Sequence, residues 1–101
     1  MYGTIARFRI KPGKRDEMLS LMSQDNNLDL AGWVADYVYQ IDQDSNEFFL
    51  VAFLDNKETY SANADSPEQH ERYLKRRALL EGDPEWNDGS IVAANGPKAH
   101  R

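Results

Sequence analysis

Cysteine is absent from the 101 residues, which removes disulfide cross-links and thiolate metal sites from consideration. Histidine occurs only at His70 and His100, with no second imidazole at HxxxH or HExxH spacing, so no histidine-based metal site is expected. Phosphate-cradling glycine loops and GxSxG elbows are missing too. No apolar run approaches the ~18 residues needed to span a bilayer. The opening MYGTIARFRIKPGK alternates and carries early charges, so neither a signal peptide nor a membrane anchor is expected, and the protein reads as cytoplasmic. Basic charge is also in short supply. Twelve Lys plus Arg stand against seventeen Asp plus Glu, a net charge of −5, which works against nucleic acid or acidic membrane as a partner. The cluster Lys75-Arg76-Arg77 is too short to reverse that sign.

What is present describes one small globular domain, 41% hydrophobic and 29% charged, with room for a single thin core. Tyr2 to Ile10 alternates β-prone residues and is closed by Lys11-Pro12-Gly13, a strand followed by a turn. From Lys14 to about Ser23, Met18, Leu21 and Met22 recur at helical spacing, and the polar stretch Gln24 to Leu30 should return the chain to the sheet. Trp33 to Ile41 and Glu47 to Leu54 flank the turn-forming run Asp42-Gln43-Asp44-Ser45-Asn46, a hairpin signal. Asp55-Asn56-Lys57-Glu58 and Ser66-Pro67-Glu68-Gln69 read as capping boxes, which predicts a short helix and then a longer one ending at Gly82-Asp83-Pro84. Ser90 to Ala94 is the expected last strand. Residues 1–95 then form the domain, and 96–101 a flexible tail.

This order, βαββαβ, is the ferredoxin-like α+β arrangement, a four-stranded antiparallel sheet with its helices on one face. If Asp42 pairs with Glu47, one face of the hairpin carries Trp33, Tyr37, Tyr39, Ile41, Phe48, Leu50 and Leu54, and the other Val34, Val38, Phe49, Val51 and Phe53. Both faces are apolar, and the helices can cover only one. A second copy of the chain packed on the other face is the simplest cover, so a homodimer is expected. Arg7 and Asp36 read as an inward pair at that interface or as part of a pocket.

Two likenesses fail on inspection. Asn46 to Phe53 has a passing similarity to the third strand of an RNA-recognition motif, yet it opens with Asn-Glu and has Leu50 where a stacking aromatic belongs. Asp42-x-Asp44-x-Asn46 mimics a calcium loop, but Glu47 stands at the glycine position and Phe53 at the glutamate position, so a hairpin turn is the reading kept.

With the elements assigned, Tyr2 to Lys14 resembles the opening "ARFxVKPGK" of antibiotic-biosynthesis-monooxygenase-type proteins of the dimeric α+β barrel group. The likeness continues through Ala31-Gly32-Trp33 and is strongest from Phe53 to Glu68, which is similar to the family's "F-x-D-x-E-A-F/Y…H/N…S/T-P" passage. The resemblance implies a homodimer with a site between helices and sheet in each subunit. It also implies oxidation of a small phenol or quinol without metal, flavin or other cofactor. In haem-opening members the set is Asn, Trp and His, whereas the matching positions here are Ala6, Asn63 and Tyr73, so haem degradation is not expected.

Cofactor-free members use an Asn and a Tyr in the second helical region with a Trp and an Arg; Asn63 and Tyr73 fit, the Trp position falls near Ser66, and the Arg is Arg76 or Arg77. His70, Tyr73 and Arg77 lie at i, i+3 and i+7 on one helix face. The catalytic expectation is His70 as base, Tyr73 and Asn63 orienting the phenol oxygen, and Arg77 steadying negative charge, with Trp33, Tyr37 and Tyr39 as an aromatic wall for the substrate. Each has a plain structural alternative: His70 at the surface, Tyr73 in the core, Arg77 paired with Asp83, Asn63 as a left-handed helix stop, and the aromatic stripe as ordinary packing. The alternative for the whole protein is a small-ligand-binding or structural homodimer that lacks the chemistry.

Overall fold

The alternation at the N-terminus becomes strand β1 (Tyr2–Arg9), whose even-numbered members Thr4, Ala6 and Phe8 are buried while Ile5, Arg7 and Arg9 are exposed. After the Pro-Gly turn come α1 (Arg15–Ser23), the hairpin β2 (Trp33–Gln40) and β3 (Glu47–Leu54), α2 (Lys57–Ala64), α3 (Pro67–Arg77) and β4 (Asp88–Ser90). The computed structural model describes residues 1–24 and 30–97; most of the stretch Gln24 to Leu30 and most of the tail at 96–101 lie outside the described residues. The sheet order is β2-β3-β1-β4 with every neighbour antiparallel, the ferredoxin-like α+β arrangement. No helix among the described residues is long and apolar enough to cross a membrane.

Local chemistry sets the helix boundaries. The Asn56 side chain accepts from the Thr59 amide at 2.8 Å, so Asn56 is the cap of α2. Ser66 accepts from the Gln69 amide with Pro67 in the first turn of α3. Each such cap contributes about 1 kcal/mol. Gly32, at φ +75, has no room for a side chain, since a Cβ would fall 2.5 Å from Asp55 Oδ1. This close approach brings the start of β2 against the β3–α2 junction, where the Asp55 amide bonds the Gly32 carbonyl.

The hairpin register differs from the expected one by a single residue. Ile41, not Asp42, bonds with Glu47, because Asp44 folds back to accept the Asn46 amide and also binds the Arg9 guanidinium from β1. A one-residue slip turns a strand over. Val38 therefore lies opposite Leu50 on the helix side, while Tyr37 and Tyr39 lie opposite Val51 and Phe49 on the open side. An irregularity between Trp33 and Ala35 restores the phase, so Trp33 still lies opposite Leu54. Arg7 and Asp36 consequently sit on opposite faces, and Arg7 pairs with Glu47 instead, its Nε donating to Oε1 at 2.8 Å.

The last strand also begins earlier than expected. Backbone pairing with β1 starts at Glu85, opposite Arg7, and runs to Ser90, opposite Tyr2, whereas Ile91 to Ala94 carry no strand and Val92 is exposed. Polar residues suffice for an edge strand because its ladder bonds are backbone bonds.

The core is a cluster of Phe8, Ile10, Met18, Phe48, Leu79 and Leu80, with Leu21, Met22, Val38 and Leu50 packed against it. Phe8 and Phe48 stack with centroids 5.8 Å apart. The cluster fills one end of the space between helices and sheet, and the other end is not filled.

Candidate active site

A cavity of about 420 Å³ opens between the two layers. Its floor follows from strand alternation. Thr4, Ala6 and Phe8 of β1 and Leu50, Ala52 and Leu54 of β3 point into it, and the edge segment adds Pro84, Trp86 and Asp88. The pairing of Glu85 with Arg7 and of Asp88 with Thr4 belongs to one continuous register, which sets Trp86 beside Ala6. Its roof follows from helical spacing: Met18 and Met22 from α1, Tyr60, Asn63 and Ala64 from α2, and Gln69, His70, Tyr73 and Arg76 from α3. Phe8, Met18 and Leu80 belong to the core cluster as well, so the core is the closed end of the cavity.

Of the expected catalytic residues, Asn63, His70 and Tyr73 line this cavity together, and Arg77 does not. Arg77 turns outward, donating to Asp83 Oδ1 at 2.8 Å and to the Leu80 carbonyl. Its neighbour Arg76, one helical turn from Tyr73, supplies the cation of the cavity wall. Asn63 sits inside α2 with no left-handed backbone, since no described non-glycine residue has positive φ. Its carbonyl accepts from the Ser66 amide and hydroxyl, so the helix junction holds this residue from its backbone side. His70 is exposed at the mouth, and Tyr73 is half-buried with its ring centroid 6.1 Å from that of Trp86.

The expected aromatic wall is elsewhere. Tyr37 and Tyr39 are 63% and 61% exposed on the open side of the sheet, a consequence of the register slip. Trp33 is on the helix side but outside the cavity lining. The aromatic surface of the cavity comes instead from Tyr60, Tyr73 and Trp86, with Phe8 at the closed end. Sequence reasoning passed over Tyr60 and Trp86, although Tyr60 lies one turn before Asn63 on α2. Trp86 became legible only once the edge strand was known to start at Glu85.

At the end away from the core the wall is polar. Tyr60 Oη donates to Asp88 Oδ1 at 2.8 Å, and the Tyr60 ring packs edge-on against Tyr2 with centroids 5.2 Å apart. Burial, and after it the hydrogen bond to the Asp88 carboxylate, pushes the Tyr60 phenol up to about 12. Thr4 is 5% exposed, and its hydroxyl makes no well-formed hydrogen bond, although it lies close enough to the Tyr60 phenol to act against the upward shift. Leaving a buried hydroxyl unpaired costs about 1–3 kcal/mol. Among the described residues no group of three or more His, Asp or Glu side chains could hold a metal ion.

A ferredoxin-like sheet with a ligand-sized, aromatic-walled chamber beneath its helices defines the class: a small α+β domain whose site lies between its two layers. Sequence then identifies the family. The profile of the antibiotic biosynthesis monooxygenases matches residues 1–73, and the chain belongs to that family. Arg76, Trp86 and Asp88 lie beyond the matched stretch. No curated protein matches the sequence. Among solved structures, the fold is similar to a mutant of SnoaB, a cofactor-independent oxygenase from Streptomyces nogalater (TM-score 0.81, 15% identity, 96% of this chain and 97% of that one covered). It is similar also to a candidate antibiotic biosynthesis monooxygenase from Chloroflexus aurantiacus J-10-fl (TM-score 0.77, 22% identity, 94% and 96% covered). A conserved protein from Methanosarcina mazei Go1 has the same fold (TM-score 0.76, 18% identity, 87% and 89% covered).

Proposed function

We propose that the protein is a cofactor-independent monooxygenase of the cytoplasm, acting on a small phenol or quinol bound between helices and sheet. The observation that carries this reading is the cavity of about 420 Å³, within the range of small-molecule sites, with apolar walls and a few convergent polar groups. The stoichiometry needs no external reductant. Converting a phenol with a free para position to a quinone releases four electrons and takes up one oxygen atom, so one O₂ supplies that atom and leaves as water with the other. The protein's task is to ionise the phenol, keep its oxygen oriented and hold negative charge while electrons pass to O₂. His70, at the mouth, takes the phenol proton and exchanges it with solvent. Asn63 and Tyr73 donate hydrogen bonds to the resulting oxyanion, and Arg76 steadies the charge in the role first assigned to Arg77. Aromatic surface from Tyr73 and Trp86 flanks the ring and limits water.

The test is oxygen uptake with a panel of hydroquinones and anthrone-like phenols, using metal-stripped protein. Uptake well above the protein-free rate, lowered about 10²-fold or more in His70→Ala and clearly reduced in Tyr73→Phe, is the expected result. No uptake, with ligand-induced melting shifts still present, would overturn the oxygenase and leave a binding protein.

The same reading includes a homodimer. The open sheet face carries Ile5, Tyr37 and Tyr39, all exposed, beside Phe49, Val51 and Phe53. A second copy of this face is the simplest cover for so much apolar surface. A solution mass twice the 11.6 kDa of the chain is expected, and a mass of one chain would refute it.

A further inference from the structure

The cavity has a polar end that the proposed chemistry leaves unused. Thr4 and Asp88 are cross-strand neighbours on β1 and β4, and Tyr60 comes down on them from α2. The residue row containing Ala6 and Trp86, against which Tyr73 packs, is two positions further along β1, about 7 Å away. A flat molecule of two or three rings therefore spans from the Tyr73 row to the Thr4 row.

The donors and acceptors at this end are unevenly committed. The Tyr60 proton is given to Asp88, which leaves lone pairs on Tyr60 Oη and on the carboxylate. The Thr4 hydroxyl is buried beside the Tyr60 phenol, forms no hydrogen bond of good geometry there, and is able both to give and to accept. Buried hydroxyls in native proteins are paired with protein, water or ligand, and this one faces a ligand-sized space. A ligand carbonyl would engage only the Thr4 proton and would crowd the Asp88 and Tyr60 lone pairs. A ligand carboxylate or phosphate would meet the Asp88 charge. A neutral hydroxyl satisfies both sides, accepting from Thr4 and donating to Tyr60 or Asp88.

We propose that Thr4, Tyr60 and Asp88 form a second recognition site within the cavity that takes a distal hydroxyl of the ligand, so that among aromatics of equal size those carrying a second, well-separated hydroxyl are preferred. The inference rests on the reading of the cavity as an aromatic-ligand site. The Asn63 and Tyr73 side holds the reacting oxygen, and the Thr4 side fixes which way round the ring system enters. Orientation matters because only the ring presented to the reacting oxygen's donors is oxidised.

The test is equilibrium binding, followed by tryptophan fluorescence, of 1-naphthol and 1,5-dihydroxynaphthalene under argon so that no turnover intervenes. The unmodified protein should bind the diol about tenfold more tightly than the mono-ol, the value of one well-made hydrogen bond to a buried group. Thr4→Val keeps the shape and removes the hydroxyl. It should abolish that preference while leaving 1-naphthol affinity within about twofold and the melting temperature equal or higher. Thr4→Ser should restore the preference, and Tyr60→Phe should weaken it. If both ligands bind and Thr4→Val leaves their ratio unchanged, the second recognition site is refuted and the aromatic-ligand reading stands. If neither naphthol binds the unmodified protein, the aromatic-ligand reading fails and the recognition site falls with it.

Discussion

Replacing Ala52 by leucine separates an open chamber from a packed seam without any knowledge of the substrate. Ala52 lies mid-strand on β3, opposite Thr4 on one side and Asp36 on the other, and its methyl group forms part of the cavity floor. Leucine adds three carbons. At about 0.8 kcal/mol per buried CH₂ their full burial would add about 2.4 kcal/mol of stability. The cavity is open at its mouth, so roughly half of that, about 1 kcal/mol, is expected. For a domain of this size each kcal/mol moves the melting temperature by about 4–8 °C. Thermal unfolding by circular dichroism should show a rise of several degrees, while binding and oxygen uptake fall because the added carbons occupy the ligand's space. A packed seam predicts the opposite sign, since forcing three carbons into filled space costs about 1–3 kcal/mol. A melting temperature lowered by more than about 4 °C would refute the cavity and every functional statement built on it.

Two further outcomes test the frame around the site. Phe48→Ala empties a fully buried position and removes the stacked partner of Phe8, so a loss of about 3–5 kcal/mol is expected in denaturant unfolding; a loss below about 1 kcal/mol would mean that the core lies elsewhere. Tyr60 should ionise near pH 12 in place of 10 in a tyrosinate absorbance titration. Its folded-state value is raised, so its contribution to stability is complete below pH 10 and is lost as pH climbs from there towards 12. Asp88→Asn should bring this titration only part of the way back, because burial, the largest single cause, remains. A full return would show that burial does not raise this phenol.

The element order was legible because its signals are local: the strand-to-turn switch at Lys11-Pro12-Gly13, the caps at Asn56 and Ser66, and the helical spacing of Met18 and Met22. The faces of the hairpin were not, because its register depends on Arg9 reaching across from another strand to hold Asp44. Nothing within residues 41 to 47 encodes that contact. The error carried into the site, since it put Tyr37 and Tyr39 on the wrong side of the sheet. On α3, Tyr73 has helical neighbours at both Arg76 and Arg77, and spacing alone does not choose between them. Asp83, brought close by the turn after the helix, draws Arg77 away, and it is Arg76 that lines the cavity. Trp86 was hidden for another reason. Ile91-Val92-Ala93-Ala94 carries the stronger β signal, yet the edge position beside β1 goes to the polar stretch before it, where backbone hydrogen bonding outweighs side-chain preference.

The irregularity between Trp33 and Ala35 works as a phase adjuster in an otherwise strictly two-beat strand. Because one residue is set aside there, the chain before it and the chain after it keep independent parity. Gly32 and Trp33 can hold their position against Asp55 and Leu54 whatever the rest of β2 does. Drawing Val34 into the ladder as an ordinary paired residue would couple the two halves and force a choice. Either Trp33 leaves the layer beneath the helices, or Val38 exchanges sides with Tyr37 and Tyr39, sending two phenols under the roof and stripping the outer face of its aromatics. One exposed valine thus sets which surface is kept for chemistry and which for company.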